Sequence, residues 1–307
     1  DGDLSIPAEL KPLGMLESPA SGFAKEELTL EKIYNPTKKV SLAAPLSETP
    51  KWLPNQDAYL MLHNGRWHSV DCQTGAMQPF DRPKRLTDAL AKLEAFNESQ
   101  ASNVGRRLEY FDAKFENALI EHKGDIYAFQ TGNNSGTGTS HDTVRQITHS
   151  PEQTKELAEI SPTGKHVAYI HNNNIWVADC ESTEVRKLTD DKDPEVLNGK
   201  LDWVYQEEIY GRGKFKGYWW SPDGSMIAFL RLDETPVPRF RIDNSLMFAQ
   251  TLEETRYPKS GQPNPNVSLH VVNVATGKIQ EVPLDNYAAN DRLLVHTASL
   301  LATITGQ

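Results

Sequence analysis

The chain is poor in cysteine, in basic charge and in long apolar runs, and each shortage removes a class of protein. Two cysteines in 307 residues are too few for a disulfide scaffold. Lys and Arg number 32 against 42 Asp and Glu, a formal net charge of -10. A nucleic-acid partner, whose phosphates need a basic face, is therefore not expected, whereas the acidic surplus suits the steering of cationic ligands. The longest mainly apolar stretch, LLVHTASLLATI, is too short and too interrupted to span a bilayer. None of the nine histidines stands in an H-E-x-x-H or comparable spacing with cysteine or carboxylate, so neither a metal nor any other cofactor is expected. No G-x-S-x-G nucleophile elbow occurs; GNNSG and GTGTS have the wrong spacing. By itself the chain is expected to catalyse no hydrolysis. It starts at Asp1 without a basic-then-apolar leader, which fits an exported form whose signal peptide has been removed.

What the chain does contain is a repeat. A strand, a Ser-Pro-x-Gly turn, a second strand, an Asn- or Gly-bearing turn, a third strand and a threonine-rich close follow one another in ISPTGKHVAYIHNNNIWVADCESTEVRKLT at 160–189. WSPDGSMIAFLRLDE with NVSLHVVNVATGKIQEVP, WLPNQDAYLMLHNGRWHSVDCQTGAMQPF, and FENALIEHKGDIYAFQ with VRQITHS are further copies. Proline sets φ at the second turn position, and Gly164 or Gly224 supplies a positive φ at the fourth. In the next turn Asn174 or Gly65 is expected to be left-handed. HVAYI and MIAFL are continuous apolar runs, as strands covered on both faces are. Repeats of this kind predict an all-β protein, a β-propeller of four-stranded antiparallel blades with short helical insertions. Cys72 and Cys180 close equivalent strands, which places them on different blades, beyond the roughly 7 Å a disulfide can bridge. Both are expected to be free thiols.

The segment 1–39 lacks the repeat and reads as a clasp outside the ring, with a short helix in EELTLEKIYNP; the propeller is expected over 40–307. DALAKLEAFNESQASNVGRR at 88–107 reads as one inserted helix, and NNSGTGTSHD at 133–142 as a flexible insertion. The chain closes in DRLLVHTASLLATITG, the start of another blade, so the ring is expected to be incomplete, and its open edges invite a second copy to pair as a homodimer.

A third insertion carries DWVYQEE at 202–208. Two adjacent carboxylates, Glu207 and Glu208, repel each other unless a cation lies between them. A helical turn capped by Asp202 lets neighbours about 100° apart converge on one ligand, as neighbours on a strand cannot. Trp203 and Tyr205 flank the pair as an aromatic shield, and Gln206 precedes it. Taken alone, such a pair is also what a solvated helix face looks like. Arg212, Lys214 and Lys216 read most simply as a solvated basic connector.

DWVYQEE, GYWWSPDGSMIAFLRLDETPVP and YPKSGQPNPNVSLHVVNV together resemble the N-terminal β-propeller of the dipeptidyl peptidase IV family, within the prolyl oligopeptidase superfamily. The match is clearest from Ile160 to Val282, with weaker echoes in LTLEKIY and KWLPNQDAYL. The resemblance implies an eight-bladed propeller in which Glu207 and Glu208 hold the free N-terminus of a peptide. A C-terminal α/β-hydrolase domain, outside this chain, would cleave after the second residue, usually proline. Many relatives have a third acid where this chain has Gln206, a departure that removes one charge and leaves the pair. The family also uses a propeller arginine near the substrate carbonyl; Arg106 and Arg107 stand in a poorly matched stretch, and neither is assigned that role. Two alternatives stay open: a tripeptidyl peptidase with the anchor displaced by one residue, and a non-catalytic propeller serving as an interaction platform.

Overall fold

Hairpin turns of two kinds set the architecture. The computed structural model describes residues 50–283 apart from 55, 113, 133–141 and 245–250, together with Thr29 and Tyr34. The chain divides into two units between Thr49 and Pro50, and every described strand belongs to the second. The clasp, nearly all of the 133–142 insertion and the closing segment DRLLVHTASLLATITG lie outside the described residues.

Four antiparallel sheets succeed one another along the chain. The first is β1 (Lys51–Trp52), β2 (Ala58–His63), β3 (Arg66–Asp71) and β4 (Met77–Pro79). The second is β5 (Asn117–His122), β6 (Asp125–Gln130) and β7 (Thr143–Gln146), with Phe111 bridging to Ala118 ahead of it. The third is β8 (Glu156–Ile160), β9 (His166–His171), β10 (Asn174–Asp179) and β11 (Val185–Lys187). The fourth runs β12 (Val196–Asn198), β14 (Met226–Asp233), β17 (Asn266–Asn273) and β18 (Ile279–Glu281), with β13 (Tyr218–Trp220) also on β14. A two-stranded arm, β15 (Arg239–Asn244) and β16 (Thr251–Arg256), leaves it between β14 and β17.

The turns behave largely as their residues require. Gly164 N–H donates to Ser161 O at 2.8 Å and Gly224 N–H to Ser221 O at 2.9 Å, with φ of +71° and +69°. In the second turn of each hairpin the left-handed pair is Asn64–Gly65 or Asn172–Asn173, as a tight turn matched to strand twist needs. Asn174, expected to be left-handed, is instead the first residue of β10. Its buried side chain accepts from Thr189 Oγ1 and Asp191 N, because the two asparagines before it already complete the turn. The helix expected over 88–107 is two helices, α1 (Arg82–Leu90) and α2 (Glu98–Gly105). Pro83 starts the first early, and Asn97 opens the second by a reciprocal cap with Gln100 (2.9 and 3.0 Å).

Packing follows the alternation of the strands. Along β9, Val167 and Tyr169 join Ile126, Ala128 and Ile147 of the second sheet, whereas Ala168 and Ile170 join Tyr218, Ile227 and Phe229 of the fourth. The third sheet is thus covered on both faces, which is why HVAYI reads as a run. The helical insertion covers the other face of the second sheet through Leu86 and Leu90 of α1, Ala101 of α2 and Phe96 between them. Cys72 and Cys180 are both free, and burial pushes the Cys180 thiol up to about 12.

Gly164 serves its turn and its neighbour at once. A Cβ there would come within 2.7 Å of Asn117 Oδ1, whereas one at Gly65, also at positive φ, meets nothing within 4 Å. In chemical denaturation Gly65→Ala is expected to cost about 1–2 kcal/mol and Gly164→Ala distinctly more. Equal losses would mean that the contact between sheets is not specific.

Candidate ligand-anchoring site

The insertion bearing DWVYQEE leaves the fourth sheet without interrupting its ladder. On β14 a single residue, Leu230, serves both ends of the excursion: its carbonyl accepts from Gly199 N–H and its N–H donates to Gly217 O, each at 2.9 Å. Gly217 N–H donates across the neck to Gly199 O, also at 2.9 Å. Above the neck Lys200 bridges Lys216 and Leu201 N–H donates to Phe215 O at 2.7 Å. The neck is narrow because a Cβ on Gly217 would lie 2.8 Å from Leu201 Cδ2, and one on Gly199 3.1 Å from Ile175.

Two ion pairs tie this stalk to the neighbouring sheet. Lys200 Nζ meets Glu156 Oε2 and Lys216 Nζ meets Glu159 Oε1, each at 2.5 Å. Residues three apart on a regular strand point to opposite faces. Between Glu156, paired with Ile170, and Glu159, paired with Ala168, β8 carries a bulge, with Leu157 at φ 57°. One extra residue returns both glutamates to the face of Ile170 and Ala168, where the stalk stands. The Tyr218 hydroxyl donates to Leu157 O at 2.5 Å. Lys216 is therefore no mere solvated connector, a correction to the sequence reading that only the bulge makes visible.

At the stalk's tip the chain turns helical from Trp203 and widens into a π turn over Tyr205–Ile209, closed by Tyr210 N–H donating to Tyr205 O at 2.8 Å. Such turns are rare and cluster at functional sites. Asp202 caps the turn as expected, accepting from Val204 N–H at 3.2 Å and Tyr205 N–H at 3.0 Å. Tyr205 and Tyr210 pack with Leu201, Leu230 and Leu232 on the outer face of the fourth sheet, and the Trp203 ring lies 4.3 Å from that of Tyr257 at the foot of the arm. Leu201, Leu230 and Leu232 are buried and contribute about 1.5–3 kcal/mol each, to which the half-buried Tyr205, Tyr210 and Trp203 add less, against roughly 0–1 kcal/mol for each partly exposed ion pair. Apolar packing thus fixes the position of the turn, and the lysine–glutamate pairs refine it.

The two candidate carboxylates have different surroundings. Glu207 is half-buried and meets Arg212 Nε at 2.7 Å, whereas Glu208 is exposed. Gln206 is buried, and its Oε1 accepts from Gly213 N–H at 3.0 Å. Of the two arginines left unassigned, Arg106 accepts from Trp67 Nε1 through its carbonyl and Arg107 pairs with Glu109. A cleft of about 930 Å³ opens beside the stalk, lined by the leading strands of three successive sheets: Leu119 and Glu121, Ala158–Ile160, and Trp219–Trp220 with Lys216. Neither Glu207 nor Glu208 lines it. Among the described residues no group of three or more His, Cys, Asp or Glu side chains converges as a metal ion needs.

The sequence reading missed Lys200, Glu156, Glu159 and the role of Arg212. One signal was available: the mirror-image flanks Gly199-Lys200-Leu201 and Phe215-Lys216-Gly217 mark where the excursion leaves and returns. Behind the cap, Glu234 went unnoticed as well. Burial, then the nearby Asp202 and Glu195, push its carboxyl up to about 7, with Arg256 and Lys200 opposing. Burial likewise raises Asp202, opposed by the N–H groups it caps.

Successive antiparallel sheets packed face to face, with leading strands converging on one cleft, define an incomplete β-propeller. The chain belongs to the family described as the dipeptidyl peptidase IV (DPP IV) N-terminal region, whose model matches residues 121–299, more than half of the chain. A protein of Aspergillus fumigatus named probable dipeptidyl peptidase 4 is 38% identical over 159 residues, covering 49% of this chain and 20% of its own length. The probable dipeptidyl-aminopeptidase B of Chaetomium globosum is 38% identical over 157 residues, covering 47% and 17%. The chain thus spans about a fifth of the length of the curated relatives it matches. The crystal structure of Porphyromonas gingivalis dipeptidyl peptidase 4 superposes with a TM-score of 0.51 at 22% identity, covering 77% of this chain and 32% of that one. A structure from Bacteroides ovatus gives 0.56 at 18%, covering 82% and 32%. At these identities the structural likeness concerns the fold alone. No helix among the described residues is long and apolar enough to cross a membrane.

Glu234 yields a signed pH dependence. Its carboxyl is raised from 4.5 to about 7, so the unfolded chain releases this proton first, and folding loses stability from about pH 4.5 until the loss levels off above about pH 7. Glu234→Gln is therefore expected to raise the thermal midpoint at pH 8 by more than it does at pH 5. The same shift at both pH values would refute the assignment.

Proposed function

We propose that this domain is the substrate-selecting propeller of a serine-type dipeptidyl aminopeptidase, and that Glu207 and Glu208 anchor the free α-ammonium of a peptide. The observation that carries the reading is Glu207 itself, a half-buried carboxylate on a fixed π turn that already engages a cationic nitrogen at 2.7 Å. A carboxylate so placed suits an ammonium with hydrogen-bond donors to share. Glu208, next to it on a turn wider than an α-helix, supplies the second negative charge. The names of the curated relatives support a dipeptide-releasing hydrolase.

In this reading a C-terminal α/β-hydrolase domain of the same protein provides the catalytic serine, aspartate and histidine. The anchor acts as a ruler: two extended residues span about 7 Å, so the nucleophile meets the second peptide bond and releases Xaa-Pro dipeptides, the effect being one of positioning. The domain without its hydrolase partner is inactive. The reading includes a homodimer of the intact protein.

In the full-length protein, Glu207→Gln and Glu208→Gln are each expected to lower kcat/KM for Xaa-Pro substrates at least about 30-fold, as loss of one carboxylate from a desolvated charge pair costs roughly 2–5 kcal/mol. Acetylating the substrate's amine should have a similar effect. Near wild-type efficiency in either variant removes the anchoring role, and tripeptide products would reassign the length of the ruler.

A further inference from the structure

We infer that Arg212 is a built-in competitor for the ammonium site, a specificity-determining residue that the incoming amine must displace from Glu207. The inference deepens the anchoring reading above and rests on it.

Arg212 is held facing the turn, although it is the most exposed partner in the site. Its side chain is 88% exposed, whereas that of Glu207 is 21% exposed. Such a geometry needs the backbone to be placed by something else. Gln206 does this: its buried amide oxygen accepts from Gly213 N–H at 3.0 Å and closes the loop directly after Arg212. Were Gln206 an acid, the loop would carry a third carboxylate and no single arginine could balance it. With a neutral amide at 206, Glu207 and Glu208 are the only acidic side chains from Trp203 to Gly217, and Arg212, Lys214 and Lys216 are the basic ones. Lys216 is committed to Glu159, and Arg212 is the cation on Glu207.

The pair is weak enough to exchange. An exposed ion pair contributes roughly 0–1 kcal/mol because water screens it and the long side chain loses freedom. A peptide ammonium that reaches both carboxylates in a more desolvated setting outcompetes it, and the guanidinium then swings to solvent from a loop tip with ample room: Cβ atoms built on Gly211 and Gly213 meet nothing within 4 Å. Until it is displaced, Arg212 lowers the apparent affinity for any ligand whose only hold is its amine, and so favours peptides that gain contacts elsewhere in the site.

The test uses the full-length protein and an Xaa-Pro substrate with a chromogenic leaving group. Arg212→Gln is expected to lower KM about twofold to fivefold, with the effect falling on KM and not on kcat, and Arg212→Lys to restore the wild-type KM. Affinity for an N-acetylated dipeptide, which has no ammonium, should be the same in Arg212→Gln and wild type. An unchanged or raised KM in Arg212→Gln, while Glu207→Gln still raises KM, overturns the competitor and leaves the anchor standing. If Glu207→Gln also leaves KM unchanged, the anchor fails first and the competitor with it.

Discussion

The ladder of β14 governs this domain, because Leu230 hydrogen-bonds both the residue at which the chain leaves the sheet and the residue at which it returns. A strand that opened without closing would strand N–H and C=O groups in a buried place, at a cost of about 1–3 kcal/mol each. Closing the neck with two glycines removes that cost and lets a long excursion rise from the leading strand of a blade. Everything on the excursion inherits its position from this neck: the capped turn, the glutamate pair and the arginine opposite.

The second constraint is the bulge in β8. It lets Glu156 and Glu159 face the same way and so receive Lys200 and Lys216. The stalk is thereby tied to its own sheet by hydrogen bonds and to the preceding sheet by charge. Tyr218, whose hydroxyl reaches the bulge from the returning strand, joins both constraints in one buried residue. A loop held in this way keeps one geometry for its side chains, which an untied loop would lose. The balance of charge at the tip depends on both devices. Glu207 is half-buried, and the loop sets a cation, Arg212, against it from its own sequence. The Asp202 cap and Glu234 lie behind the same turn, close enough that each carboxyl is raised by burial and Glu234 also by its acidic neighbours. Acidic groups are thus concentrated on both sides of the turn, Glu207 and Glu208 on the turn itself and Asp202 with the half-buried Glu234 behind it, where Glu234 weakens the fold as pH rises.

Local chemistry made much of this legible in advance. Ser-Pro-x-Gly turns, Asn- and Gly-bearing tight turns and doubly apolar runs are decided within a few residues, so the four sheets and their order could be read from the chain. So could the Asp202 cap, since the capping residue and the N–H groups it accepts from are adjacent in sequence. The single helix expected over 88–107 divided because the Asn97–Gln100 cap restarts it, a local signal that was present and was outweighed by the apolar spacing of Leu90, Leu93 and Phe96.

Other features belong to tertiary structure. The pairing of Lys200 and Lys216 with glutamates more than forty residues away, the packing of Trp203 on Tyr257 and the rise in the Glu234 carboxyl all depend on which face a strand presents after a bulge and on what a neighbouring blade brings close. The sequence determined the blades and the acidic pair, because hydrogen-bonded turns and caps are short-range. The folded structure alone decided that Glu207 is half-buried with Arg212 against it and Glu208 exposed, because burial is set by the packing of segments distant in the chain.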